Sequence, residues 1–154
     1  MSAEPTFVPK DGQVDFTNAR FCPVINCVVE HEGKLLMVKR NKNLRLYPGL
    51  WNGISGFLDD KKTLEEKVHE ELAEELSIKP EHIQKIEQGP VIVQEAPDYD
   101  KTWVVFPVHV IVNTDKYKLD SEASEAKWLT LSEARSKNLL PGFAEVIDTI
   151  FGAY

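Results

Sequence analysis

The sequence predicts an α+β domain of packed layers, and three observations predict it. Strand-like segments stand before and after one central amphipathic helix. Further helical segments gather at the C-terminal end, and no repeat or low-complexity tract interrupts that order. A chain of 154 residues, 42% apolar and 28% charged, matches one ordinary globular domain large enough to bury a real core. Residues 1–20 carry two prolines and little periodicity, so they read as an N-terminal arm over a single domain at 21–154.

The elements follow in order. Cys22–Val29 is rich in β-formers, Glu30–Lys34 turns at Gly33, and Leu35–Arg40 is again apolar, so this stretch predicts a hairpin. Lys39, Arg40, Lys42 and Arg45 then cluster just ahead of the central helix. They form either a solvated loop or a basic rim suited to phosphate oxygens, with Arg40 the best single candidate. Tyr47, Trp51 and Phe57 flank the same region. Aromatics beside a phosphate site can stack on a base, although Trp51 suits a core equally well. Residues 83–95 and 101–113 read as two strands joined by a short acidic loop that could present Glu95. A short strand ends at Trp128, a helix opens at Thr130 with a capping box through Glu133, and Pro141 suits the first turn of a last helix over Gly142–Gly152.

The central helix carries the chemistry. Leu64, Val68, Leu72 and Leu76 recur every fourth residue, Thr63 and Glu66 have capping-box spacing, and Ser77 followed by Pro80 predicts the stop. At about 100° per residue, Glu71 and Glu75 fall roughly 20° either side of Leu64, inside the apolar arc, and Glu74 falls roughly 80° from it, just outside. Two carboxylates one turn apart on a partly dry face raise each other's pKa. A divalent cation relieves that repulsion, and Mg²⁺ prefers oxygen ligands completed by substrate phosphates. The competing reading is a solvated acidic face with i,i+4 partners such as Glu65 and His69.

From Gly56 to Ile78 the chain resembles the Nudix box of the MutT-like Nudix hydrolases: Gly56 opens it, Glu71-Leu72-Ala73-Glu74-Glu75 forms its core, and Ile78 closes it. Three positions depart. Lys62 stands where the pattern has Glu, Glu70 where it has Arg, and Ser77 where it has Gly. The first two invert both charges and keep opposite signs, which predicts a swapped ion pair between Lys62 and Glu70. The resemblance extends to the flanking strands and to Glu125–Leu129, and it implies a Nudix fold, an α/β/α sandwich with a mixed β-sheet.

The same resemblance implies a metal-dependent pyrophosphohydrolase that cleaves a nucleoside diphosphate linked to another moiety X. Glu71 and Glu75, with Glu74 close by, would hold Mg²⁺ or Mn²⁺ and act in catalysis. A further base or ligand would come from Glu125, Glu122 or Glu95, and Arg40, Gly56, Trp51 and Phe57 would meet the substrate. Two other readings stay open. One is a Nudix-fold module that binds nucleotide without turning it over. The other, the least supported, is isopentenyl-diphosphate isomerase, whose catalytic Cys and histidine ligands have no recognisable counterparts in this chain.

The remaining residues set limits. His31, His69, His82 and His109 lack metal-ligand spacing. Cys22 and Cys27 would point to opposite faces of a strand, and the N-terminus shows no basic start or apolar h-region, so a cytoplasmic protein is expected. A net charge of −7 argues against a nucleic-acid polymer as partner, and no apolar run approaches the ~20 residues of a membrane span. A small-molecule partner is expected instead.

Overall fold

The structure is a computed structural model that describes residues 8–153, so the first seven residues of the expected arm lie outside it. Strand β1 (Phe21–His31) is the centre of a mixed eight-stranded sheet. It runs parallel to β7 (Lys101–Val112) from Phe21↔Thr102 to Glu30↔Ile111. Its other edge is shared by β2 (Lys34–Arg40) at His31↔Lys34 and β4 (Ile54–Phe57) at Val24↔Phe57, both antiparallel. Beyond β2 lie β3 (Trp51–Asn52) and β8 (Ala123–Leu129). The far edge of β7 carries β5 (Ile83–Gln88) and β6 (Ile92–Ala96).

The period-2 alternation of β1 and β7 builds two cores, one on each face. Ile25, Cys27 and Val29 of β1 and Val108, Val110 and Val112 of β7 bury against Val68, Leu72 and Leu76 of α1 (Leu64–Leu76). Cys22, Val28, Trp103 and Val105 face the other way. They pack with Ala134 of α2 (Leu131–Arg135) and with Phe143, Val146 and Ile147 of α3 (Phe143–Phe151). Helices therefore cover both faces of the sheet. Both cysteines are free and buried, and they lie in opposite cores.

Three expectations need correction. The strand expected over 83–95 is two strands, broken at Gly89–Pro90. They meet β7 on either side of Pro107, and the Gly89 N–H donates to the Pro107 carbonyl at 2.8 Å. Proline offers no N–H to a ladder, so pairing has a gap where Pro107 sits. Pro141 is not in the first turn of α3. That helix starts at Phe143 after Gly142, whose φ of 90° favours glycine. Finally, β3 and β4 have no counterpart among the expected elements, because two to four residues are too few for a periodic signal.

Helix α1 has the ends that its sequence predicts. The Thr63 side chain accepts from the Glu66 N–H at 3.1 Å, and the Glu66 side chain accepts from the Thr63 N–H at 3.2 Å. Ser77 is left-handed at φ 55°, and the N–H groups of Ser77 and Ile78 donate to the Ala73 and Leu72 carbonyls. A serine held there is strained where glycine is not. We expect Ser77→Gly to stabilise the fold by about 1 kcal/mol, read as a raised urea midpoint at unchanged slope.

Candidate active site

Strand β4 brings Gly56 against the middle of α1. A Cβ on Gly56 would sit 2.5 Å from Glu71 Cδ and 2.6 Å from its Oε1. Glycine is needed here for close approach, since its backbone forms the wall on which the Glu71 carboxylate rests. Gly56→Ala should displace Glu71. The expected result is a loss of divalent-cation affinity of about 10–100-fold, measured calorimetrically, with only a modest fall in melting temperature.

Next to Glu71, Glu70 and Glu74 complete a group of carboxylates whose oxygens lie within 4.8 Å of one another. Glu74 is exposed toward the cleft and Glu70 is half-buried. Lys62 Nζ sits 2.7 Å from Glu70 Oε2, so the inverted pair is formed and ties the preceding loop to the helix. Lys67, which the sequence reading did not single out, is 3% exposed. Its Nζ lies 2.8 Å from Asp60, 3.5 Å from Asp59 and 3.4 Å from Glu70. Burial works against that charge, but the Asp60 hydrogen bond and the fields of Glu70, Asp60 and Asp59 together hold the ammonium above an ordinary lysine. Lys67 is also a positive charge that acts on Glu71 to favour its ionised form.

Glu75 points inward. Its Oε2 is buried and meets no hydrogen-bond donor among the described residues. A cavity of about 10 Å³, room for about one water or ion, is lined by Glu75, Glu122, Asp120 and Arg40. Desolvation raises the pKa of Glu75 far above the carboxylate range, and the neighbouring Glu122 and Glu71 raise it further. Desolvation also raises Glu71. Glu122 reaches this place from the loop before β8. Its N–H donates to Asp120 Oδ1 at 3.0 Å, and its carbonyl accepts from the Asn41 N–H at 2.8 Å. Of the three outside carboxylates expected from the sequence, Glu122 is the one that the fold brings to Glu75, with Asp120 beside it. Glu125 pairs with Lys127 at 3.2 Å, and Glu95 lies by Arg20 at 3.5 Å and accepts from Thr102 Oγ1 at 2.9 Å. Neither lines the cleft.

The cleft beside these carboxylates has a volume of about 820 Å³, which suits a substrate of nucleotide size. Arg40 reaches both the cleft and the small cavity, with its Nε donating to the Leu46 carbonyl at 3.0 Å. Phe57, Trp103 and Tyr47 form an aromatic wall. Trp51 does not line it. That ring is buried in the core beneath Lys137, whose Nζ is 5.0 Å from the ring centroid. The arm closes one side of the cleft: Gln13 Nε2 donates to Asp59 Oδ2 at 2.8 Å, and Phe16 stacks on Phe57. Sequence reasoning missed Lys67, Trp103 and the place of the expected arm at the cleft, because these depend on packing that no local spacing encodes.

A helix that brings Glu70, Glu71 and Glu74 together beside a cleft of nucleotide size, between two helical layers on a mixed sheet, is the arrangement to be placed in a family. The NUDIX domain matches residues 20–150, so the chain belongs to that family and is an enzyme of the kind that hydrolyses diphosphate bonds. Solved structures agree on the fold. The NUDIX domain of Shewanella oneidensis NrtR, complexed with ADP ribose, is 21% identical at a TM-score of 0.71, over 86% of this chain and 87% of that one. A MutT NUDIX hydrolase from Burkholderia pseudomallei is 16% identical at 0.70, over 85% and 98%. A C. elegans Ap4A hydrolase is 18% identical at 0.69, over 84% and 94%. At these identities the likeness establishes the Nudix fold. No curated protein sequence matches. Among the described residues no helix is long and apolar enough to cross a membrane.

Proposed function

We propose that this chain is a metal-dependent pyrophosphohydrolase that splits a nucleoside diphosphate from a linked moiety X. The observation that carries the reading is Glu75 Oε2, a buried carboxylate oxygen without a donor, set between Glu71 and Glu122. Such an atom is costly alone and well matched to a cation. Glu71, Glu74 and Glu75 would hold Mg²⁺ or Mn²⁺, which would neutralise the diphosphate and make water a stronger nucleophile. In the hydrolysis, a water oxygen bonds to one phosphorus as the anhydride P–O bond breaks, and a carboxylate takes the water's proton. Glu122 would take that role, and its position beside Glu75 supports the reading. Arg40, which borders both the cleft and the Glu75 cavity, would grip the phosphate oxygens, Gly56 would keep Glu71 in place, and Phe57 would flank the nucleoside.

The charge inversion at Lys62 and Glu70 was the best support for a non-catalytic module, and the 2.7 Å pair leaves that reading without its main observation. The free, buried cysteines support a reducing, cytoplasmic setting. The test is product release from a panel of ADP-ribose, nucleotide sugars, dinucleoside polyphosphates, NADH and normal and oxidised dNTPs. Each is assayed with Mg²⁺, Mn²⁺ or EDTA. Release that requires metal names the substrate class, whereas silence across the panel refutes the hydrolase.

A further inference from the structure

Tyr47 lines the cleft in a closely restrained conformation. Its φ of 50° is left-handed, which a bulky side chain avoids, and Pro48 follows it. Two contacts with Tyr99 hold it there: the Tyr47 N–H donates to Tyr99 Oη at 2.9 Å, and the two rings meet edge to face at 4.8 Å. A third restraint acts on the hydroxyl, which accepts a hydrogen bond from Trp103 Nε1 at 2.9 Å. With that lone pair engaged, the hydroxyl proton is left to donate, and it has no acceptor among the described residues. Burial pushes the phenol up, so it stays a donor at neutral pH.

The surroundings show what the donor is for. One residue earlier, the Leu46 carbonyl anchors Arg40 Nε at the phosphate end of the cleft. Beyond Tyr47, the Trp103 ring lies 5.9 Å from that of Phe57, which continues the apolar wall. The hydroxyl thus stands where the basic part of the cleft meets its aromatic part. The geometry points to Tyr47 as a base-binding residue that donates its hydroxyl proton to an acceptor, a ring nitrogen or carbonyl oxygen, on the edge of an aromatic base lying along the Phe57–Trp103 wall. This rests on the reading of the cleft as a nucleoside diphosphate site and adds where the base is read.

Because a phosphate oxygen is also an acceptor, the test separates the two. Calorimetry in Mg²⁺ would compare α,β-methylene ADP and α,β-methylene UDP, which cannot be hydrolysed at the bridge, with methylenediphosphonate as the base-free control. Tyr47→Phe should weaken both nucleotides by about 3–20-fold, the worth of one partly buried hydrogen bond, and should leave the control unchanged. Tyr99→Phe, which loosens the loop but keeps the hydroxyl, should preserve wild-type discrimination between nucleotide and control. Equal loss for the control, no loss for either nucleotide, or the same loss in Tyr99→Phe overturns the inference. Nucleotide binding that depends on Tyr47 in a protein without turnover would keep this subsite and refute the hydrolase. A wild-type protein that binds neither nucleotide overturns both.

Discussion

Glu75→Gln should lower turnover by at least about 10²–10³-fold and at the same time make the metal-free protein more stable. Both effects come from one cause. Without a cation, Glu75 is buried beside Glu71 and Glu122 with no donor on its Oε2, and the fold holds it with a proton that the unfolded chain has released at neutral pH. An unsatisfied buried polar group costs about 1–3 kcal/mol, and a glutamine amide can donate to the neighbouring carboxylates and recover much of it. For a domain of this size, that gain corresponds to a rise of about 2–8 °C in melting temperature.

The pH dependence has a defined sign. Glu71 and Glu75 have raised pKa values in the fold against an ordinary 4.5. Below about pH 4.5 both are protonated in either state, and nothing is lost. As pH rises from there across neutrality, the unfolded chain sheds these protons first, so stability falls. In EDTA the wild-type melting temperature should therefore drop between pH 5 and pH 8, and Glu75→Gln should flatten that slope. Divalent cation needs the ionised carboxylates, so the stabilisation it gives should grow over the same range. A metal-free wild-type protein that gains stability toward pH 8, or a Glu75→Gln protein that keeps full activity in saturating metal, would falsify the assignment of Glu75.

Lys67→Met should be strongly destabilising. The substitution leaves Asp59, Asp60 and Glu70 facing one another, since Lys67 contacts all three acids whereas Lys62 contacts Asp60 and Glu70. Removing one partner of a buried ion pair costs about 3–5 kcal/mol. The acids here are partly solvated, so we expect the low end, near 3 kcal/mol, or roughly 6–12 °C. Lys67→Arg should recover most of the loss, and Asp60→Asn combined with Lys67→Met should lose less than Lys67→Met alone. Chemical denaturation of the four proteins checks this. A Lys67→Met variant as stable as wild type would mean that the network contributes little.

How much of this was legible in the sequence depends on whether a feature is local. Helix α1 is read from its own residues: four leucine-type positions one turn apart, a Thr63–Glu66 box, and a terminal Ser77. The inward placement of Glu71 and Glu75 follows from the same geometry. Glu122 could be named only as one of three outside carboxylates. What selects it is the register of β8 on β2 and the clamp by Asn41, which join parts of the chain about 80 residues apart. Trp51 was open between core and cleft, and its place follows from the short pairing of β3 with β2. The Gly89–Pro90 break carried a signal that the reading passed over, because an apolar stretch on each side invited one long strand. Tyr47 could be named as a flanking aromatic, but its left-handed backbone before proline could not, since that conformation is set by its partners.

The interruption at Pro107 also bears on how the molecule meets its neighbours. An unbroken strand along the outer margin of β7 would expose a long run of unpaired amides and carbonyls to any other chain. Instead that margin is two short pieces, one carrying the Lys85–Glu87 pair, separated by a prolyl step. A growing fibril needs a continuous template. The residue that divides the strand thereby also guards a crowded solution against edge-to-edge assembly.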